Sequence, residues 1–250
     1  MNRYKTFGLH LLISAVLITA ISALFVFWWF PPPFLYAEGG WRALRIIACV
    51  DATVGPLLTL IVCNPKKAKK VIIKDLAFIG ALQLAAMSWG LWSIYGQRTV
   101  AVVGSDGTFY SIEADNSSAA TKRAGELGGG HKPAYVVLDL PRDLNERQKI
   151  RFESMQTKIP IYNFDRYYVP LGKEALEELA YSEPKLEKMV PEGPAGMDKV
   201  KAFLGKKGRA REDFFIFPVQ ARDSKFIIFI DRKEGTVAGW LHDIETGKDY

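Results

Sequence analysis

Cysteine is nearly absent from this chain: Cys49 and Cys63 are the two in 250 residues. If both lie on one helix, their separation holds them about 21 Å apart. A disulfide needs Cα atoms within about 7 Å, so they do not pair there. No cysteine follows, so the last 154 residues have neither a disulfide framework nor a cysteine metal site. A segment of roughly that size buries enough core to fold without cross-links. Histidine is almost as scarce: His10, His131 and His242. None sits in H-x-x-x-H or beside a cysteine, so zinc lacks ligands at usable spacing. There is no G-x-S-x-G elbow, no Walker A loop and no G-x-G-x-x-G. Gly128-Gly129-Gly130-His131 reads as a helix stop, and Asp139/Asp143 and Glu177/Glu178 as surface acids. The expectation is a protein without catalytic residues, cofactor or metal.

Charge is lopsided. Met1–Gly96 holds nine Lys and Arg against three Asp and Glu, and the remainder holds 24 of each. The whole net charge of +6 therefore belongs to the first 96 residues, and the larger, more polar part is neutral. Nucleic-acid binding needs a basic folded domain or stripe, so it is excluded as a reading.

What the chain does have is long apolar runs. Phe7–Phe30 would span about 36 Å as a helix, more than the roughly 30 Å hydrocarbon core. It outruns the 7–15 residues of a signal-peptide core and continues past Ser22-Ala23, so it reads as a retained anchor. Pro31-Pro32-Pro33 stops it. Further spans are expected at about 43–63 and 76–95. Lys66, Lys67, Lys69, Lys70 and Lys74 lie between or at the edge of these two spans. The positive-inside rule places that loop in the cytoplasm together with Arg3 and Lys5. The N-terminus is then inside, 31–42 outside, and everything after Gln97 outside, which in a Gram-negative bacterium is the periplasm. Trp28, Trp29, Trp41, Trp89 and Trp92, with Tyr36 and Tyr95, all fall at the outer interface by this topology, where aromatic rings prefer to sit.

After Tyr95 the pattern turns to alternation. Thr99–Val103 and Thr108–Glu113 flank Gly104-Ser105-Asp106-Gly107 as a hairpin. Helices are expected over Asn116–Leu127, from Asp143 (with Glu146, a capping box) to Met155, over Lys173–Tyr181 and over Asp198–Leu204. Ala134–Leu140, Ile159–Val169, Phe214–Gln220, Phe226–Asp231 and Val237–Leu241 read as extended, and Pro184–Gly196 as loop. Asn116-Ser117-Ser118 fits a helix cap better than a glycosylation acceptor. The expected architecture is a three-span membrane domain (1–96) followed by a periplasmic α+β domain with an antiparallel sheet (97–250).

The membrane part carries one unusual residue. Asp51 lies about 12 Å deep in the second span, where a carboxylate costs roughly 2.5–3.5 kcal/mol and needs a partner. His10 sits at a different depth, and Arg45 points to the far side of its helix. A hydroxyl or backbone partner within the bundle and a partner on another chain both remain open. Ala48, Ala52 and Gly55, and on the third span Ala77, Ala81 and Ala85, form rows of small residues that admit close helix approach. Pro56 withholds a helical donor from the Ala52 carbonyl. Asp51, Ala48, Ala52, Gly55 and Pro56 are therefore the candidate partner-binding residues.

Met1–Leu12 (MNRYKTFGLHLL), Gly39-Gly40-Trp41, Val50-Asp51 and Gly55-Pro56-Leu57-Leu58-Thr59-Leu60 together resemble the type IV pilin accessory proteins of the TfpX/TfpZ group. Asn64-Pro65-Lys66, Lys74-Asp75-Leu76, Gln83-Leu84 and the exit Tyr95…Arg98-Thr99-Val100 also fit, although that family commonly has proline where Thr99 stands. The resemblance is dense over about the first 115 residues and thin beyond. It implies a non-enzymatic inner-membrane protein that binds and stabilises type IV major pilin and promotes pilus assembly. Its partners would be the pilin's membrane helix, its head domain, and the lipid bilayer. A membrane-anchored periplasmic enzyme, and a sensor or transporter subunit using Asp51, are the readings from other classes.

Overall fold

The computed structural model describes residues 3–64, 67–114, 118–128, 133–181 and 194–242. The chain divides into two compact units, Met1–Arg98 and Thr99–Tyr250.

In the first unit α1 (Arg3–Leu24) passes into one wide π turn, Phe25–Trp29, where the Phe30 N–H reaches back to the Phe25 carbonyl at 2.7 Å. The three prolines that follow cannot extend the helix, and the chain turns through the short α2 (Phe34–Ala37). Gly39, at φ 75°, supplies the left-handed turn into α3 (Gly40–Val62), and α4 is Lys69–Gly96. Three helical segments of 27, 23 and 28 residues are long and apolar enough to cross a membrane. Fewer than one in five residues of each apolar stretch is buried within the protein, so lipid rather than a protein core must cover these helices. All three begin before the expected spans, because Arg3, Lys5, Arg42, Lys69, Lys70 and Lys74 lie outside the apolar stretch yet are still helical, while the first two end one residue short of the expected limit.

Helix α3 is central: α1 packs along it and α4 packs on it. Ile21, Phe25, Phe30, Leu35 and Leu44 form the buried cluster at the aromatic end, with Met87, Leu91 and Ile94 of α4 against it. Trp29 meets Tyr95 (5.1 Å between centroids), Tyr36 meets Trp41 and Trp89 meets Trp92, so the end of α1, the start of α3 and the end of α4 share one aromatic belt.

The second unit is a seven-stranded sheet in the order β4-β3-β1-β2-β5-β6-β7. Its strands are β1 (Thr99–Ser105), β2 (Thr108–Glu113), β3 (Ala134–Leu138), β4 (Tyr168–Pro170), β5 (Phe214–Gln220), β6 (Lys225–Asp231) and β7 (Val237–Leu241). Asp106 (φ 48°) and Gly107 (φ 77°) make the tight β1–β2 turn. Helices α5 (Ser118–Leu127), α6 (Leu144–Thr157), α7 (Lys173–Tyr181) and α8 (Pro194–Lys207) complete the α+β unit. Ala101, Val103, Val136 and Leu138 pack with Ala120, Ala124 and Ile150 in one half of the core. Phe214, Ile216, Ile227 and Phe229 pack with Val200 in the other, where Phe203 stacks on Phe229 at 4.1 Å. The halves join through Phe109↔Val219 and Tyr110↔Gln220.

Antiparallel ladders dominate, but β1–β3 and β2–β5 run parallel, which alternation alone did not indicate. Ile159–Val169 is not one extended segment. Two 3-10 turns, Ile161–Asn163 and Asp165–Tyr167, precede the three-residue β4. Pro160 and the Asn163-Phe164-Asp165 sequence favour turns over a ladder. Helix α8 begins at Pro194, inside the expected loop, and passes Gly205 to end before Gly208 (φ 61°). The Asp143 cap is present, with Oδ1 accepting the Glu146 N–H at 2.9 Å. The Asn116-Ser117 cap, the 129–131 part of the Gly-Gly-Gly-His segment and most of the 184–196 loop lie outside the described residues.

Candidate functional site

Polar side chains in the first unit converge on α3. Gln83 of α4 donates from Nε2 to Asp51 Oδ1 at 3.0 Å. The Ser14 hydroxyl of α1 donates to the Asp51 main-chain carbonyl at 3.3 Å. Two turns along α3, Thr59 Oγ1 lies 2.6 Å from His10 Nδ1. Each bond ties an outer helix to the central one, the device expected where lipid offers no hydrophobic drive between helices.

Gly55 makes the Asp51–Gln83 bond possible. A Cβ there would fall 2.1 Å from Gln83 Nε2 and 2.7 Å from its Cδ, so the amide occupies the space a side chain would need. Gly55 and Pro56 are thus buried within this chain's own bundle, while Ala48 and Ala52 are half-buried. The expected docking row is therefore divided: Gly55 is already filled by Gln83. On α4, by contrast, Ala77, Ala81 and Ala85 are exposed.

Asp51 stands apart from that row because it opens on a cleft. Thr6, Leu9, His10, Ile13, Ser14 and Leu17 of α1 form one wall, and Leu76, Gly80, Gln83, Leu84 and Met87 of α4 the other. Asp51 and Thr59 lie on the floor, and the cleft holds about 300 Å³. Asp51 Oδ2 is buried from solvent and accepts no hydrogen bond among the described residues. The arrangement is an apolar trough between two membrane helices with one buried, unpartnered acceptor beside its floor. Chemically it can receive an apolar chain or helix that brings a hydrogen-bond donor to the level of Asp51.

Of the sequence candidates, the structure brings Asp51 into the cleft and leaves Ala48, Ala52, Gly55 and Pro56 off its lining. Composition singled out neither Gln83, Ser14 nor Thr59, although a glutamine inside an apolar span is itself a signal that a polar partner lies nearby. Arg45 is exposed, with its guanidinium 5.9 Å from the Trp41 ring.

In the second unit the expected surface acids are tied up locally: Glu178 pairs with Arg147 at 3.0 Å and Asp143 serves as a helix cap. Among the described residues of this unit the strongly perturbed carboxylate is Asp231, which accepts from Arg209. That bond, with backbone N–H groups of Lys233 and Glu234, outweighs desolvation and lowers its pKa to about 2. Burial raises the Tyr135 and Tyr168 hydroxyls well above the ordinary tyrosine range, and Tyr168 donates to the Tyr162 carbonyl at 2.6 Å. These are structural bonds within the α+β core.

Among known proteins, three from Dichelobacter nodosus are similar to this chain over 99 residues, 40% of its length. The fimbrial assembly protein of serogroup E1 is 39% identical, that of serogroups C1 and C2 is 37% identical, and that of serogroup I is 37% identical. The matched stretch covers 76% of the C1/C2 protein but 38% of each of the other two, so the chain spans well under half the length of those relatives. No family model matches, and no solved structure matches. With three membrane-competent helices and a relative of 37% identity matched over three quarters of its own length, the chain belongs to the family of fimbrial assembly proteins.

Proposed function

We propose that this chain is an inner-membrane accessory protein of the TfpX/TfpZ kind that binds type IV pilin before assembly and promotes its incorporation into the fibre. The membrane cleft receives the pilin's transmembrane helix. The observation that carries this reading is the unpartnered, buried Asp51 oxygen beside a trough walled by Leu9, Ile13, Leu17, Leu84 and Met87, which a rotation of the carboxylate would present to a donor. An apolar helix laid along it covers these walls, and a donor on that helix completes the carboxylate. An intramembrane hydrogen bond averages about 0.6 kcal/mol and reaches about 1.7. Packing along the walls must supply the rest of the affinity, which suits a partner that is released again into a fibre. The role is one of holding and delivery, without a catalytic step.

The orientation follows from charge and aromatic placement. Lys67, which pairs with Asp75 at 2.9 Å, and its neighbouring lysines face the cytoplasm, and the tryptophan belt faces the periplasm with the α+β unit. The test is affinity capture of pilin from membranes by the full chain carrying Asp51→Leu, Asp51→Asn or no change. Asp51→Leu reduces capture several-fold while the protein still accumulates, and Asp51→Asn retains part of it. Equal capture by all three overturns the cleft as the binding site. Loss of the accessory protein itself assigns Asp51 to holding its own helices together.

A further inference from the structure

Besides Asp51, the cleft has a second polar residue with bonding capacity to spare. His10 of α1 lines it and is half-buried. The ring aims Nδ1 at Thr59 Oγ1, 2.6 Å away, and this is the one hydrogen bond of the Thr59 hydroxyl among the described residues. Thr59 is fully buried, so its hydroxyl proton has nowhere else to go, and a buried donor without an acceptor is costly. Thr59 therefore donates to Nδ1, which places the ring proton on Nε2. Nε2 points well away from the direction of Nδ1, and its N–H has no acceptor among the described residues.

The cleft thus pairs an acceptor with a donor at two depths. Ser14, whose hydroxyl meets the Asp51 carbonyl, and His10 are four residues apart on α1, about 6 Å. Asp51 and Thr59, the partner of His10, are eight residues apart on α3, about 12 Å. With the N-terminus in the cytoplasm, His10 is the inner of the two groups. A helix complementary to both carries a donor at the level of Asp51 and an acceptor four to eight residues nearer the cytoplasm. The same helix reversed, or slid by a turn, leaves the donor and acceptor of the cleft without partners, and in a membrane that is disfavoured.

We propose that His10 is the register anchor of the cleft. Its Nε2–H donates to a hydroxyl, amide or carboxylate oxygen of the pilin helix. Asp51, its carboxylate rotated toward the trough, accepts from a donor farther out on the same helix. This anchor rests on the cleft being the pilin site and adds where along the pilin helix the protein grips. The apolar walls hold any apolar stretch nearly alike, whereas two unlike polar contacts select one position and one direction.

The test uses the full chain in membranes with the major type IV pilin of the same cells. A photo-crosslinking amino acid at Ile13 marks the pilin helix, and the adduct positions are mapped by mass spectrometry. With His10 present the adducts fall within one turn. His10→Leu lowers pilin capture by about three- to twentyfold, the worth of one intramembrane hydrogen bond, and spreads the adducts over more than one turn. His10→Gln, whose amide can accept from Thr59 and donate to pilin, restores the narrow register. In the purified chain with isotopically labelled histidine, the His10 ring, assigned by its loss in His10→Gln, shows a protonated Nε2 and an unprotonated Nδ1. The Nε2–H resonance moves when pilin is added. Unchanged capture and an unchanged narrow register in His10→Leu overturn the anchor, while a fall in capture with Asp51→Leu in the same series keeps the pilin site itself. A proton on Nδ1 instead, or an Nε2–H signal that bound pilin leaves in place, also overturns the anchor. Absence of capture by the unaltered chain overturns the pilin site and the anchor together.

Discussion

Replacing Gly55 by alanine should damage the bundle through one side chain on another helix. The added methyl would sit 2.1 Å from Gln83 Nε2, where ordinary contact begins near 3.4 Å, so the amide must retreat by about 1.3 Å. Its 3.0 Å bond to Asp51 then exceeds hydrogen-bonding distance. Losing an intramembrane bond costs about 0.6–1.7 kcal/mol. Leaving the carboxylate without its donor adds to this, on the order of 1–3 kcal/mol. Alanine in place of a mid-helix glycine returns about 0.5–1 kcal/mol. The expected net effect of Gly55→Ala is a destabilisation of about 0.6–4 kcal/mol. In a Gln83→Ala background the obstruction is gone, so the same substitution should be neutral or stabilising by up to about 1 kcal/mol. Cys63, buried at 1% exposure, reports bundle opening through its reaction with a fluorogenic maleimide during heating of the purified full chain with Cys49→Ser. Reversal of sign between the two backgrounds supports the Gly55–Gln83–Asp51 arrangement. Destabilisation of equal size in both refutes it.

A reporter active only outside the cytoplasm should work when fused after Tyr95 or within Tyr36–Gly39 and fail after Lys67; activity at Lys67 contradicts three spans. The fragment Gln97–Tyr250 should fold alone as a monomer with a cooperative melt, because its two core clusters are internal to it. Aggregation of that fragment would mean that an edge strand such as β7 needs a cover. Because the folded-state pKa of Asp231 is lowered to about 2, its contribution is present above about pH 4 and is lost as pH falls toward 2. Asp231→Asn should cost on the order of 1 kcal/mol at neutral pH, since Arg209 remains about a third exposed, and should flatten the acid limb of the unfolding curve.

Long-period and short-period patterns were legible in the sequence because lipid and local capping enforce them residue by residue. The three apolar runs, the Asp143 cap and the strands Phe214–Gln220 and Val237–Leu241 all follow from neighbours in the chain. The partner of Asp51 was not legible, since Gln83 lies 32 residues away and only packing brings it near. Depth arithmetic contained a hint. Asp51 lies about 16 Å from the outer end of α3, and Gln83 about 20 Å from the outer end of α4. The parallel ladders escaped for a similar reason: alternation records which face of a strand is buried, not the direction of its neighbour. A row of small residues admits close approach by a partner helix or by a neighbour within the bundle, and Gly55 takes the second course, as a slot for Gln83.

We propose that a pilin helix occupies the cleft between α1 and α4. A photo-crosslinking amino acid placed at Ile13 or Leu84, on the two walls, tests it in living cells when compared with Phe78 and Ile46, which are exposed but not part of the lining. The expected result is a pilin adduct from positions 13 and 84, weakened by Asp51→Leu, and none from 46 or 78. Adducts from 46 or 78 alone, or none from either wall while pilin is present in the membrane, would contradict the account.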